Sequence, residues 1–237
     1  RPFRLYDPPI IEAQSAICLR VNEGEAGEVL FEKSPDRRLP PASLVKLMTA
    51  LVLQGLMERF GHSLNDYLAI EEADVVGGSG RNVKPGERII FGDAFANLII
   101  PSSNITANAV ARTFGQLLMD ADGAYARNPE ARFVREMNAK AASLGMGRTH
   151  FKNCSGVPAR GQVTSAADMA KLMLAVMTLP EVTRWWGQPS HVMPVKGLKP
   201  RNQKISSTVK VVNDYDVLGG KTGTLLPGFY NLALMSK

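Results

Sequence analysis

The chain has 237 residues, 45% hydrophobic and 21% charged, with a formal net charge of +6. That composition suits a folded soluble protein with a sizeable core, built as one large domain or two lobes. No apolar run is long enough to span a membrane. The basic residues are scattered rather than interleaved with aromatics, which argues against a nucleic-acid groove and for a solvated basic surface, with attraction to an anionic polymer or a substrate carboxylate as the functional alternative.

The first predicted strand covers residues 15–22, a turn covers 22–27, and a returning strand covers 28–33, which makes a hairpin. Pro35, Pro40 and Pro41 then keep the chain extended. Over 42–59 the apolar residues Leu44, Leu47, Met48, Leu51 and Val52 recur at helical spacing, and Gly61 is the expected stop. Gly77, Gly78, Gly80 and Lys84-Pro85-Gly86-Glu87 mark a surface loop. Helices are predicted over 93–100, 105–114, 129–144 and 166–177. Ser165 with Asp168 forms a start signal for the last of these, so Asp168 is read as a cap partner. Residues 205–212, 216–221 and 229–235 are strand-like. Strands thus fall at both ends of the chain and helices in the middle. The simplest packing is a mixed α/β (α+β) fold, with an antiparallel sheet from the terminal strands covered by helices. A central helical lobe completes it, with a substrate cleft between sheet edge and lobe.

Cys18 alternates with apolar neighbours and is expected to be a buried thiol, and the sequence leaves its pairing with Cys154 open. His62, His150 and His191 are isolated, so neither a metal site nor a cofactor is expected. No signal peptide is visible at Arg1. The chain is therefore either cytoplasmic or a mature or trimmed form.

Three short motifs carry chemistry. Ser43-Leu44-Val45-Lys46 lies at the front of the 42–59 helix, where a serine and a lysine three apart share a face. An amine beside a hydroxyl can activate it as a nucleophile without histidine. A second S-x-x-K, Ser207 to Lys210, falls in a predicted strand, where residues three apart face opposite ways. S-x-N also occurs twice. Ser102-Ser103-Asn104 lies between helices, where a loop can aim side chains into a cleft, whereas Ser63-Leu64-Asn65 reads as a cap or turn. Lys221-Thr222-Gly223 occurs once, on a glycine-rich strand that another backbone could approach closely.

Together and in this order the motifs form the S-x-x-K, S-x-N, K-T-G set of penicillin-binding proteins and class A β-lactamases. Segments 40–49, 84–87, 149–153, 165–170 and 220–224 extend the likeness. From about Ala13 onward the chain resembles the serine D-alanyl-D-alanine carboxypeptidases, the low-molecular-mass penicillin-binding proteins. The resemblance implies a single catalytic domain over 1–237, with a sheet lobe near 10–60 and 190–237 and a helical lobe near 61–189. It implies Ser43 as nucleophile, Lys46 as base and Ser102 as proton relay. Asn104, Lys221, Thr222, Gly223 and Thr224 become substrate-binding residues, and the Ser43 and Thr224 N–H groups an oxyanion hole. The implied substrate is a peptidoglycan stem peptide ending in D-Ala-D-Ala. β-Lactams are implied as covalent inhibitors, the periplasm or another extracytoplasmic space as the location, and peripheral membrane association through a segment outside this chain. Relatives usually continue past the strand after K-T-G, so the end of the family domain is expected to lie outside this sequence. The rival readings are a β-lactamase, a D,D-endopeptidase and a non-catalytic peptidoglycan-binding protein. No Glu-x-x-Leu-Asn of the class A type precedes K-T-G.

Overall fold

The computed structural model describes residues 10–22, 27–123, 128–211, 216–225 and 228–236. Strands β1 (Ala16–Arg20) and β2 (Glu28–Lys33) form the N-terminal hairpin, with Cys18 opposite Phe31. The middle of its predicted turn, 23–26, lies outside the described residues. Cys18 is exposed and only Cys154 is buried, and both are free thiols. The expectation of a buried Cys18 fails because the hairpin packs on helix α5 (Ala166–Met177) by one face and leaves Cys18 on the other.

Helix α1 (Val45–Phe60) is preceded by a 3-10 turn, Ala42–Leu44. Every α1 residue from Val45 through Leu53 is buried, so α1 runs through the core instead of lying across it. Gly61, at φ +70°, ends it in the left-handed conformation that glycine tolerates. A short pair not visible as strands in the sequence follows, β3 (Tyr67–Ala69) with β4 (Arg88–Ile90). Helices α2 (Phe91–Ile99), α3 (Asn104–Asp122) and α4 (Pro129–Ser143) build the middle of the fold. α3 runs well past its predicted end at 114. Gly115 does not break it, because α4 lies so close that a Cβ there would collide with the Pro129 carbonyl. α5 begins where predicted. The Asp168 N–H donates to Ser165 Oγ, and the Asp168 carboxylate accepts from the Arg148 N–H and the Thr149 hydroxyl.

Helix α6 (Pro180–Trp186) and strand β5 (Ser190–Val195) were not anticipated. β6 (Arg201–Ser206) pairs with β5 and ends six residues before the predicted limit of 212. Ser207–Lys210 is therefore not strand. Ser207 Oγ accepts from the Val209 N–H in a local turn, so the face argument against this second S-x-x-K has no basis, and its serine is otherwise engaged. β7 (Val217–Leu225) and β8 (Phe229–Ser236) form the C-terminal hairpin.

The mixed fold of helices and antiparallel strands is as expected, but the single terminal sheet is not. Among the described residues the ladders are four separate pairs, β1–β2, β3–β4, β5–β6 and β7–β8. Among the described residues β7 pairs with β8 alone. No helix among the described residues is long and apolar enough to cross a membrane.

Replacing Gly115 tests the α3–α4 contact. Gly115→Ala forces the helices apart, and the expected loss is about 1–3 kcal/mol. Urea unfolding should show a lower midpoint at unchanged slope; an unaltered midpoint would show that the interface gives way freely.

Candidate active site

Ser43 sits in the 3-10 turn and Lys46 in the first turn of α1. In a 3-10 turn residues three apart eclipse, which brings the two side chains together. Lys46 Nζ is 2.9 Å from Ser43 Oγ. Ala42, just before Ser43, holds φ at +49°, a conformation costly to a residue with a Cβ. The Ser43 N–H has no backbone partner among the described residues.

Lys46 is fully buried. Its amine also touches Asn104 Oδ1 at 2.7 Å and the Ser155 carbonyl at 2.5 Å. Burial lowers its pKa from 10.5 to about 7. Cys154 is pushed well above the usual thiol range, chiefly by burial and then by Glu130, so it stays protonated and neutral behind the lysine. The geometry suits a neutral amine, which has two N–H bonds and one lone pair. Asn104 Oδ1 and the Ser155 carbonyl can only accept, so they take both N–H bonds, and the lone pair is left facing the Ser43 hydroxyl.

Both acceptors are held in place. Asn104 Nδ2 donates to the Gly77 carbonyl at 2.8 Å, which fixes the amide with its oxygen toward Lys46. The glycine loop predicted at the surface thus lies against S-x-N. The Asn104 N–H donates to the Ser79 carbonyl, and Ser103 Oγ donates to the Gly80 carbonyl. A Cβ on Gly78, at φ +99°, would come within 2.6 Å of Asn104 Nδ2. Arg112 of α3 anchors the loop's start through its ion pairs with Asp74 and Glu71. On the other side, Thr49 Oγ donates to the Cys154 carbonyl at 2.6 Å, and the Gly156 N–H donates to Asn153 Oδ1 at 2.7 Å. These bonds secure the segment carrying the Ser155 carbonyl.

The third motif arrives on β7. A Cβ at Gly223 would lie 3.0 Å from the Pro41 carbonyl and 3.2 Å from the Ser43 nitrogen, so the glycine is what lets the strand pass so close. Lys221 is fully buried and donates to Ser102 Oγ at 2.7 Å and to the Thr222 carbonyl at 2.9 Å. Ser102 holds φ at +63° to present that oxygen. Burial, and secondarily Lys46, lowers the Lys221 pKa well below the usual lysine value. Thr222 Oγ lies 2.6 Å from Thr208 Oγ.

The three motifs therefore meet. Ser43, Lys46 and Asn104 form one hydrogen-bonded group, Ser102 and Lys221 a second, and Gly223 and Thr224 continue β7 past the nucleophile. Ser63 is elsewhere, bonded through its N–H and hydroxyl to the Asp66 carboxylate as a turn. Three contributors were missed: the Ser155 carbonyl, the glycine loop at 77–80 and Thr208. The cluster of glycines before S-x-N was the one available signal. A backbone carbonyl leaves no mark on sequence.

Comparison with known proteins fits this geometry. The sequence profile described as D-alanyl-D-alanine carboxypeptidase matches residues 4–234. D-alanyl-D-alanine carboxypeptidase DacF of Bacillus subtilis is 30% identical over 177 residues, covering 74% of this chain and 42% of the relative. DacC of Escherichia coli is 27% identical over 95% of this chain and 54% of its own length. A D-alanyl-D-alanine endopeptidase of Pseudomonas aeruginosa is 30% identical over 73% of the chain and 51% of the relative. The chain spans about half the length of the curated relatives it matches. Among solved structures, the Streptomyces K15 DD-transpeptidase superposes with a TM-score of 0.84 at 22% identity, over 98% of this chain and 87% of that one. It shares the fold.

A lysine amine displaced this far costs stability in a pH-dependent way. The folded state binds the Lys46 proton less tightly than the unfolded state does, so the cost is present in full below about pH 7 and fades as pH rises toward 10.5. The stability of the wild type relative to Lys46→Met should therefore rise between pH 7 and 10, by up to several kcal/mol at roughly 1.4 kcal/mol per pH unit. Urea titrations at a series of pH values measure it; a pH-independent gap would contradict the displaced amine.

Proposed function

The chain belongs to the D-alanyl-D-alanine carboxypeptidase family, and from that premise we propose that it removes the terminal D-alanine from peptidoglycan stem peptides through an acyl-enzyme on Ser43. The observation that carries the proposal is the Lys46 amine, buried, 2.9 Å from Ser43 Oγ, with its other two contacts made to obligate acceptors.

In the first step Ser43 Oγ bonds to the carbonyl carbon of the D-Ala-D-Ala amide, and its proton passes to the Lys46 lone pair. Negative charge builds on the carbonyl oxygen, which lies between the N–H groups of Ser43 and Thr224. Donors of this kind contribute roughly 3–4 kcal/mol each to transition-state stabilisation. The C–N bond then breaks. Ser102 hands a proton to the leaving amine and is resupplied from the lysines, which its 2.7 Å bond to Lys221 Nζ supports. The D-alanine carboxylate lies at Lys221, Thr222 and Thr224. An arriving anion there favours the proton on Lys221, and a charged Lys221 keeps Lys46 neutral. Thr208 orients the Thr222 hydroxyl. In the second step water attacks the ester, Lys46 accepts its proton, and Ser43 is released.

β-Lactams offer the same amide in a ring and acylate Ser43. Among the described residues no carboxylate bonds to Lys46 or Ser43, which supports a long-lived acyl-enzyme over rapid lactam turnover. The Pseudomonas relative's name gives weight to a second reading, D,D-endopeptidase. It uses the same acyl-enzyme with a cross-linking amine as leaving group. The substrate sets the work outside the cytoplasm.

Wild type should release D-alanine from a D-Ala-D-Ala peptide and gain one adduct mass with penicillin on the peptide bearing Ser43. Ser43→Ala should lose both. An adduct elsewhere, or release undiminished in Ser43→Ala, would reject the assignment. Acylation should speed up as pH rises through about 7, since a protonated amine cannot take the Ser43 proton. Lys46→Arg, protonated at every pH used, should fall by about 10²–10⁴-fold with no such rise. A flat profile in the wild type would contradict Lys46 as base.

A further inference from the structure

A cavity of about 290 Å³ opens directly beside the nucleophile. Pro41 and Ala42, next to Ser43, form one wall, and Leu225, next to Thr224, forms another. The loop from Gly156 to Arg160 closes the third side. Gly156 lies so tightly against this wall that a Cβ, at its φ of +85°, would collide with the Ala42 carbonyl. Two sides of the cavity therefore belong to the same rigid assembly that fixes Ser43 and the Ser155 carbonyl.

The strand direction says which part of the substrate reaches it. β7 runs from Lys221, at the leaving D-alanine, through Thr224, at the reacting carbonyl, to Leu225. The acyl portion of the peptide therefore continues past Leu225 and over this cavity. The volume equals about ten waters at roughly 30 Å³ each, far more than a methyl group fills. Its walls include Pro41, Val157 and Leu225, and among the described residues no acidic side chain lines it. Gln162 also lines it, but its amide is already spent on the backbone of Lys152, Asn153 and Val157. Arg160 lines it too, is exposed, and has no carboxylate or hydrogen-bond acceptor partner among the described residues.

We propose that this cavity is a subsite for the residue preceding D-Ala-D-Ala, and that Arg160 selects acyl donors whose side chain there is long and ends in a free carboxylate. The stem fills the apolar walls, and the anionic tip meets the guanidinium. A side chain ending only in an amine meets like charge instead. The proposal rests on the carboxypeptidase reading for the direction in which the peptide lies.

Binding separates the two claims, because it needs no turnover. The probes are two acetylated X-D-Ala-D-Ala tripeptides, with X either 2-aminopimelic acid or its side-chain carboxamide, titrated calorimetrically into Ser43→Ala. The carboxylate peptide should bind about fivefold to tenfold more tightly at low salt. Arg160→Gln in the same background should erase the difference, and Arg160→Glu should reverse it. Equal affinities in Ser43→Ala, no binding of either probe, or a preference that survives Arg160→Gln would overturn the subsite. D-alanine release by the unmodified chain is measured alongside. Absent release with the preference intact rejects the hydrolytic reading alone; normal release without preference rejects the subsite alone.

Discussion

The site depends on a lysine amine held inside the core with, among the described residues, no carboxylate bonded to it. An ammonium removed from water costs several kcal/mol unless an anion compensates. Here the contacts of Lys46 are neutral oxygens, so the cheaper solution is to give up the proton. The fold thereby supplies a free base near neutral pH from a group that is ordinarily cationic. Lys221 faces the same constraint: burial, and secondarily the nearby Lys46, lowers its pKa well below the usual lysine value. A buried glutamate or aspartate bonded to Lys46 would hold it charged and remove its lone pair.

That arrangement needs three backbones closer together than side chains allow. Gly223 lets β7 pass the Ser43 segment, Gly156 lets the Ser155 loop press on Ala42, and Gly80 lets the glycine loop lie on Ser103. The left-handed conformations of Ala42 and Ser102 belong to the same economy of space. Each presents a functional neighbour at an angle that regular structure does not offer. Packing elsewhere supports these approaches. Trp186 of α6 fills the space left by Gly219, so α6 buttresses β7 from behind.

What could be read from sequence followed the physics of pattern. The helix carrying Ser43 and Lys46, its stop at Gly61 and the Ser165 cap were legible because periodicity and capping are local. The three motifs could be ordered, and the family resemblance said that they meet. Cys18 was misjudged because an alternating apolar run does not reveal which face of a two-stranded hairpin is covered. The limits of α3 and β6 were misplaced because close helix contact overrode a glycine, and because β-branched residues after Ser206 form an irregular segment. Strands β3 and β4 are three residues each, too short to show alternation. The Ser155 carbonyl was invisible because every residue has one.

The most direct test is the ionisation of Lys46 itself, followed by Nζ-detected nuclear magnetic resonance in the folded chain with the Lys46 signal assigned by Lys46→Arg. The account predicts half-titration near pH 7, so that the amine beside Ser43 is largely neutral at pH 8. A midpoint near 10 would mean that the lysine stays charged under working conditions, and the proposed activation of Ser43 would be wrong.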